Sequence, residues 1–264
     1  MFVNKYNIEA LDECKEIISA VCTFVGHLDS YMQSDENFHD NSFAFVMQMI
    51  SESIVEYGKE AYNCLERGDF YALGMLIRVI IENYVCLMTI GEDPEKELWK
   101  YWLASSYAKE FNKYKTNRDS EYIRKLVEDY FKENSIDLSL MYNYNFYNNY
   151  GRTRKSKKRV SMHELADDID GEIYNDYQQM CAYTHGTSAV FKRLKIIETT
   201  PIYMITTLVT YLNSTARYYY FDCIDEEYEN SIDLICSLSE KTVEESGRKE
   251  IIGKSFEEIW EGQL

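Results

Sequence analysis

The chain has 264 residues, 45% of them hydrophobic, and a net charge of −17. That length and apolar content suffice for a packed core in one large domain or two small ones, while the acidic balance works against broad electrostatic attachment to nucleic acid and leaves room only for a local basic site. Two prolines and eleven glycines leave few chain breaks, so long helices are expected, and 24 Tyr with 12 Phe make the protein rich in aromatic rings.

The first stretch with helical spacing is Tyr6 to Tyr31, where Ile8, Leu11, Ile17, Ile18, Val21, Val25 and Leu28 recur along one side. A polar break follows and holds Glu36 and His39, an isolated E-x-x-H. Carboxylate-bridged metal sites in bundles need two such elements, and there is no second copy. Phe43 to Leu65 forms a second amphipathic helix. Gly68 is expected to stop it, and Asp69 to cap the next.

That next stretch, Phe70 to Ile90, is apolar on all sides. Such a helix either spans a membrane or lies at the centre of a bundle. Arg78 and Glu82 lie near its middle, and each charge at a bilayer centre costs roughly 2.5–3.5 kcal/mol. The expectation is a core helix in a protein without a membrane span. Arg78, Glu82 and Asn83 are then polar groups brought inward, which demand partners. The structural alternative is an i,i+4 ion pair that satisfies itself.

Asp93 and Pro94 are expected to open a fourth helix that runs to about Tyr114. Ser120 to Phe131 is a fifth. Residues 141–150, MYNYNFYNNY, are Tyr and Asn rich, and RTRKSKKR at 152–159 holds six basic residues and no acid. Together they read as a long loop. Aromatic rings beside a basic run can hold single-stranded nucleic acid; the alternative is a solvated linker. Ser161 and Glu164 have the spacing of a capping box, ahead of a short helix with a turn at Gly171. Tyr174 to Tyr183 continues helically to His185 and Gly186. Ile202 to Phe221 follows, with Pro201 in its first turn. Asp222 to Ser246 is acidic but keeps Tyr228, Ile232, Ile235 and Leu238 at helical spacing, so it reads as a surface helix. A last short helix is expected over Ser255 to Trp260. No internal repeat is visible, and the sum is an all-α, single-domain bundle of about eight helices.

The seven cysteines are widely spaced with no C-x-x-C pair. The first fifteen residues contain acids and lack the apolar run of a signal peptide. Thiols in a reducing cytoplasm are therefore expected. Phosphate loops, dinucleotide loops, H-E-x-x-H and the nucleophile elbow are all missing. His163 and Asp167, one turn apart, offer two metal ligands, but charged helix faces of this kind are commoner than metal sites. No cofactor and no metal are expected.

One constellation carries chemistry. Tyr177, Cys181 and His185 form an i,i+4,i+8 line on or near one helix. His185 falls where that helix should end, and the dipole there favours an imidazolium, which suits a proton donor or phosphate partner. The alternative is a capping histidine. The stretches GMLIRVIIENYVCLM (74–88) and SMHELADDIDGEIYNDYQQMCAYTHGT (161–187) resemble a bacterial all-helical family of unknown function. That family has an R-x3-E core helix (Arg78, Glu82) and a Y-x7-H helix (Tyr177, His185). The resemblance covers roughly residues 45–195. Its layout is similar to the HEPN group, the higher-eukaryote and prokaryote nucleotide-binding domains, many of which are metal-independent ribonucleases of defence and toxin systems.

The resemblance implies a HEPN-like fold with Arg78, Glu82 and His185 as catalytic candidates. Asn83, Tyr177, Tyr183, Lys155, Lys157, Lys158 and Arg159 are candidates for binding substrate. It implies RNA or a nucleotide as ligand, a partner protein from the same operon, and a homo-oligomer that brings two His185 sites together. One departure stands out: HEPN ribonucleases carry the arginine a few residues before the histidine on one helix, and Met180 and Gln179 occupy those positions here. Arg159 precedes His163 at too short a spacing. Arg78 would have to reach His185 from another helix, which packing distances of about 8–10 Å permit. Two readings of other classes remain: a non-enzymatic helical interaction or sensor protein with a buried Arg–Glu–His network, and a binder of a small anionic ligand.

Overall fold

A computed structural model describes residues 5–34, 42–93, 97–114, 120–139, 161–184, 200–219 and 223–245. The described residues form nine helices and no strand. They are α1 (Lys5–Ser34), α2 (Ser42–Arg67), α3 (Phe70–Gly91), α4 (Leu98–Tyr114), α5 (Ser120–Glu133), α6 (Met162–Ile169), α7 (Gly171–Thr184), α8 (Thr200–Tyr219) and α9 (Glu226–Glu245). The all-α expectation therefore holds. The sequences at 35–41, 140–160, 185–199 and 246–264 lie outside the described residues. With them go the E-x-x-H pair, the Tyr/Asn-rich and basic run, His185 with Gly186, and the expected last helix.

Local chemistry sets the helix ends. Gly68 adopts φ 68°, a left-handed conformation that only glycine takes without a side-chain clash. Its N–H donates to the Leu65 carbonyl at 2.9 Å, and the Asp69 N–H donates to the Cys64 carbonyl at 2.9 Å. Those two bonds satisfy the last carbonyls of α2. The Asp69 carboxylate then accepts the Ala72 N–H at 3.1 Å and caps α3. Ser161 and Glu164 form the expected capping box: the Glu164 N–H donates to Ser161 Oγ at 3.2 Å, and the Ser161 N–H donates to the Glu164 carboxylate at 2.7 Å.

The expected start of the fourth helix at Pro94 lies outside the described residues; the described helix runs from Leu98, and the Asp93 carboxylate accepts the Glu97 and Leu98 N–H groups at 2.6 and 2.9 Å. Two described boundaries differ from the sequence expectation. The break between α6 and α7 falls at Asp170, whose backbone is extended; its side chain accepts the Glu172 N–H at 3.0 Å. Gly171 therefore opens α7 and is not the turn itself. The acidic helix starts at Glu226, after Asp225, which accepts the Tyr228 N–H at 2.9 Å.

The described chain divides into two compact units, with the division falling inside α1, α2, α3 and α7. The first comprises Met1–Leu28, Glu52–Ile81 and Gln178–Leu264. Its interior is aliphatic: Val21, Ile54, Leu65, Leu73, Ile77, Ile80, Leu208 and Leu212 are completely buried. α8 packs on α9, and Phe24 of α1 meets Tyr228 of α9 edge-on at 5.4 Å. The Tyr228 hydroxyl donates to Asn213 at 3.3 Å.

The second unit comprises Asp29–Ser51 and Glu82–Tyr177. Here α4 packs on α5 around Ala104, Phe111, Val127, Phe131 and Ile136. Tyr107 and Tyr130 meet edge-on at 4.9 Å, and the Tyr130 hydroxyl donates to the Lys100 carbonyl at 3.3 Å. α5 ends as α2 does, but with a serine at the left-handed position: Ser135 has φ 56°. The Ser135 N–H donates to Lys132, and the Ile136 N–H donates to Phe131. A side chain in that conformation costs roughly 1–2 kcal/mol. Ser135→Gly is therefore expected to raise stability by about 1 kcal/mol once glycine's extra unfolded-chain entropy is set against the gain. Chemical denaturation of the two proteins checks this through a higher midpoint at unchanged slope.

Among the described residues, α3 alone is long and apolar enough to cross a membrane, and 67% of that stretch is buried in the protein. Burial on this scale fits the core helix that Arg78 and Glu82 led us to expect. All seven cysteines are thiols, with Cys14, Cys64 and Cys86 buried and Cys223 and Cys236 exposed. Burial pushes the Cys14 thiol up to about 12, which removes it from thiolate chemistry at neutral pH.

Candidate functional site

Along α3, one turn separates Arg78 from Glu82, and Asn83 follows directly. All three are half-buried, whereas Ile77, Ile80, Ile81, Val85 and Leu87 beside them are fully buried. Side chains three and four residues apart share a helix face, so Arg78 and Glu82 form a polar stripe on a largely apolar helix, with Asn83 about 100° round from Glu82. The three groups are not sealed in the core.

In the second unit, Tyr177 of α7 reaches this stripe. Its hydroxyl donates to Glu82 Oε1 at 3.1 Å, a part-buried bond between residues 95 positions apart. Tyr177 also ends a row of rings. Tyr174, one turn earlier on α7, lies nearly parallel to it with centroids 6.2 Å apart. His163 of α6 stacks on Tyr174 at 3.9 Å with 23° between the planes. His163 Nε2 meets Asp167 Oδ2 at 2.9 Å. The two residues weighed as metal ligands are thus bonded to each other. Among the described residues, no group of three or more His, Cys, Asp or Glu stands where it could hold one metal ion.

In the first unit, Tyr183 of α7 lies on α3. Its ring meets Tyr71 edge-on at 6.1 Å. It passes so close to Gly74 that a methyl group there would sit 2.5 Å from Tyr183 Cγ. Burial, with a smaller contribution from Tyr71, pushes the Tyr183 hydroxyl up to about 12, against an ordinary value of about 10. Tyr183, a sequence candidate for binding substrate, thus packs from α7 against α3.

The sign of its effect on stability follows from this shift. The folded protein holds the Tyr183 proton at pH values where the unfolded chain has already released it. The stabilisation is complete below about pH 10 and is lost as pH rises toward about 12. Tyr130 and Tyr228 are pushed upward by burial as well. Thermal melts from pH 9 to 12 are expected to fall less steeply for Tyr183→Phe than for the wild type.

Of the other sequence candidates, His185, Lys155, Lys157, Lys158 and Arg159 lie outside the described residues. Sequence reasoning missed the roles of Tyr174 and Gly74. The spacing of Tyr174 and Tyr177 signals adjacency on a helix, but nothing local signals that His163 would lie on top of them.

An all-helical protein is the class that the fold defines. The model of a family of unknown function, DUF5677, matches residues 47–200, more than half of the chain, and the chain belongs to that family. No curated protein and no solved structure matches it.

Proposed function

We propose that this chain is a HEPN-like bacterial protein of defence or toxin type that cleaves RNA without a metal, through His185 and Arg78. The observation that carries the reading is that Arg78 is only half-buried, although Ile77, Ile80 and Ile81 beside it on the same helix are fully buried. The family match, over residues 47–200, also takes in both Arg78 and His185. In this reading His185 removes the proton from a ribose 2′-hydroxyl. The resulting oxygen attacks the adjacent phosphorus, and Arg78 balances the charge that builds on the phosphorane. The 5′-oxygen leaves and is protonated. The products are a 2′,3′-cyclic phosphate and a free 5′-hydroxyl. Asn83 and the cations Lys155, Lys157, Lys158 and Arg159 would contact the RNA. The protein would act as a cytoplasmic homo-oligomer, alongside a partner protein.

Incubation of end-labelled RNA with wild-type and His185→Ala protein in the presence of a chelator tests this. The wild type is expected to yield cyclic-phosphate ends, and the variant to lose at least about a hundredfold in rate, the low end of general-base effects. Equal rates for the two proteins would end the proposal. A second reading, a non-enzymatic interaction or sensor protein, draws on the Tyr177–Glu82 bond, which satisfies a half-buried carboxylate as a packing network does. It requires that neither protein cleaves RNA and that Tyr177→Phe lowers stability by about 0.5–1.5 kcal/mol.

A further inference from the structure

We propose that His163, Tyr174 and Asp167 form a seat for an arginine guanidinium presented by a basic segment of a partner protein. The three lie within the second unit, on α6 and α7. None of them takes part in the ribonuclease reading, so the inference stands or falls separately.

The seat is rigid from below. Tyr177 is pinned to Glu82 by its hydroxyl, Tyr174 lies along Tyr177, and His163 lies on Tyr174. The imidazole Nε2 is tied to the Asp167 carboxylate at 2.9 Å. One face of that imidazole rests on Tyr174, yet 52% of the His163 side chain and 48% of the Asp167 side chain are open to solvent. An oriented ring that offers a face to water, with a carboxylate at its edge, is a shape with a chemical complement. That complement is a flat cation that stacks on the ring and donates sideways to oxygen.

Charge selects among flat ligands. From Ser161 to Tyr177 the chain carries Glu164, Asp167, Asp168, Asp170, Glu172 and Asp176, and no lysine or arginine. A nucleobase would stack equally well, but among the described residues of α6 and α7 its phosphates would meet only carboxylates and no cation. A lysine ammonium is attracted to the acids but has no plane to lay on the ring. The arginine guanidinium meets both conditions: it is always charged, it stacks on aromatic faces, and its N–H groups diverge in one plane toward carboxylates. The Asp167 carboxylate keeps acceptor capacity beyond its bond to His163, since two ionised oxygens offer about four lone-pair sites.

Fluorescence anisotropy with the full chain and a fluorescein-labelled peptide of alternating arginine and glycine tests the seat, at an ionic strength of about 0.15 M, where exposed charges alone are well screened. The lysine-for-arginine peptide and labelled oligouridine are the comparisons. The arginine peptide is expected to bind about tenfold more tightly than the lysine peptide. His163→Ala should remove that tenfold preference, while His163→Phe, which restores a flat ring, should keep most of it. Position 163 is exposed, so circular dichroism should show unchanged helicity for both variants. Equal affinity for the arginine and lysine peptides overturns the proposal, as does a preference that survives His163→Ala. Binding of oligouridine that His163→Ala abolishes would overturn it in favour of a nucleobase platform.

Discussion

Phe131→Ala is expected to cost about 3–5 kcal/mol of stability. Phe131 is 1% exposed and forms the centre of the α4–α5 interior, with Ala104, Phe111, Val127 and Ile136 around it. Truncation removes the ring's transfer energy and leaves a void. The neighbours cannot fill it cheaply, because Ile136 is fixed by the N–H bond that closes the end of α5 onto the Phe131 carbonyl at 2.7 Å. Whole-domain stabilities are about 5–15 kcal/mol, so the loss is a large share of the total. A fall in melting temperature of about 10 °C follows. Hydrogen exchange adds a positional readout: amides of α4 and α5 should lose protection first. A variant that melts within about 2 °C of the wild type would show that this cluster contributes little.

Gly74→Ala is expected to destabilise by about 1–3 kcal/mol through overpacking, and the sign is the informative part. Glycine inside a helix is ordinarily worse than alanine by roughly 0.5–1 kcal/mol, so the same change at an open position would stabilise. Here the new methyl group would stand 2.5 Å from Cγ, 2.7 Å from Cβ and 2.7 Å from Cδ2 of Tyr183. Those atoms are the root of the ring, not the end of a flexible chain, so relief requires α7 to shift at Tyr183. A double-mutant cycle separates the causes. In a Tyr183→Ala background the clash is gone, and Gly74→Ala should turn from destabilising to stabilising. Denaturant midpoints of the four proteins give the answer.

Local signals made much of this fold legible. Gly68 and Asp69 mark one helix end and the next start by their own backbone needs, and Ser161 with Glu164 marks another. The structure places all four in the expected roles. A boundary moved where a capping side chain one residue earlier takes over from the glycine signal, as Asp170 does ahead of Gly171. The polar residues Arg78, Glu82 and Asn83 are visible in the sequence because they interrupt an otherwise apolar run. The partner of Glu82 was visible only in part. Tyr177 came to notice for its spacing from His185, whereas what it bonds to is Glu82, through a pairing that no spacing rule reports. The Gly74–Tyr183 contact and the His163–Tyr174 stack were invisible for the same reason: shape complementarity belongs to two distant stretches together and to neither alone.

The corner at Gly68 and Asp69 has a consequence for how the chain tolerates changes in length. Only two residues separate α2 from α3, and both are committed to capping bonds. The rotational phase of α3 is thereby tied to that of α2. One inserted residue would turn every α3 side chain by about 100°, carrying Gly74 away from Tyr183 and Glu82 away from Tyr177, unless the capping bonds were sacrificed. Relatives that gain or lose residues are therefore expected to do so elsewhere and to keep this junction at constant length.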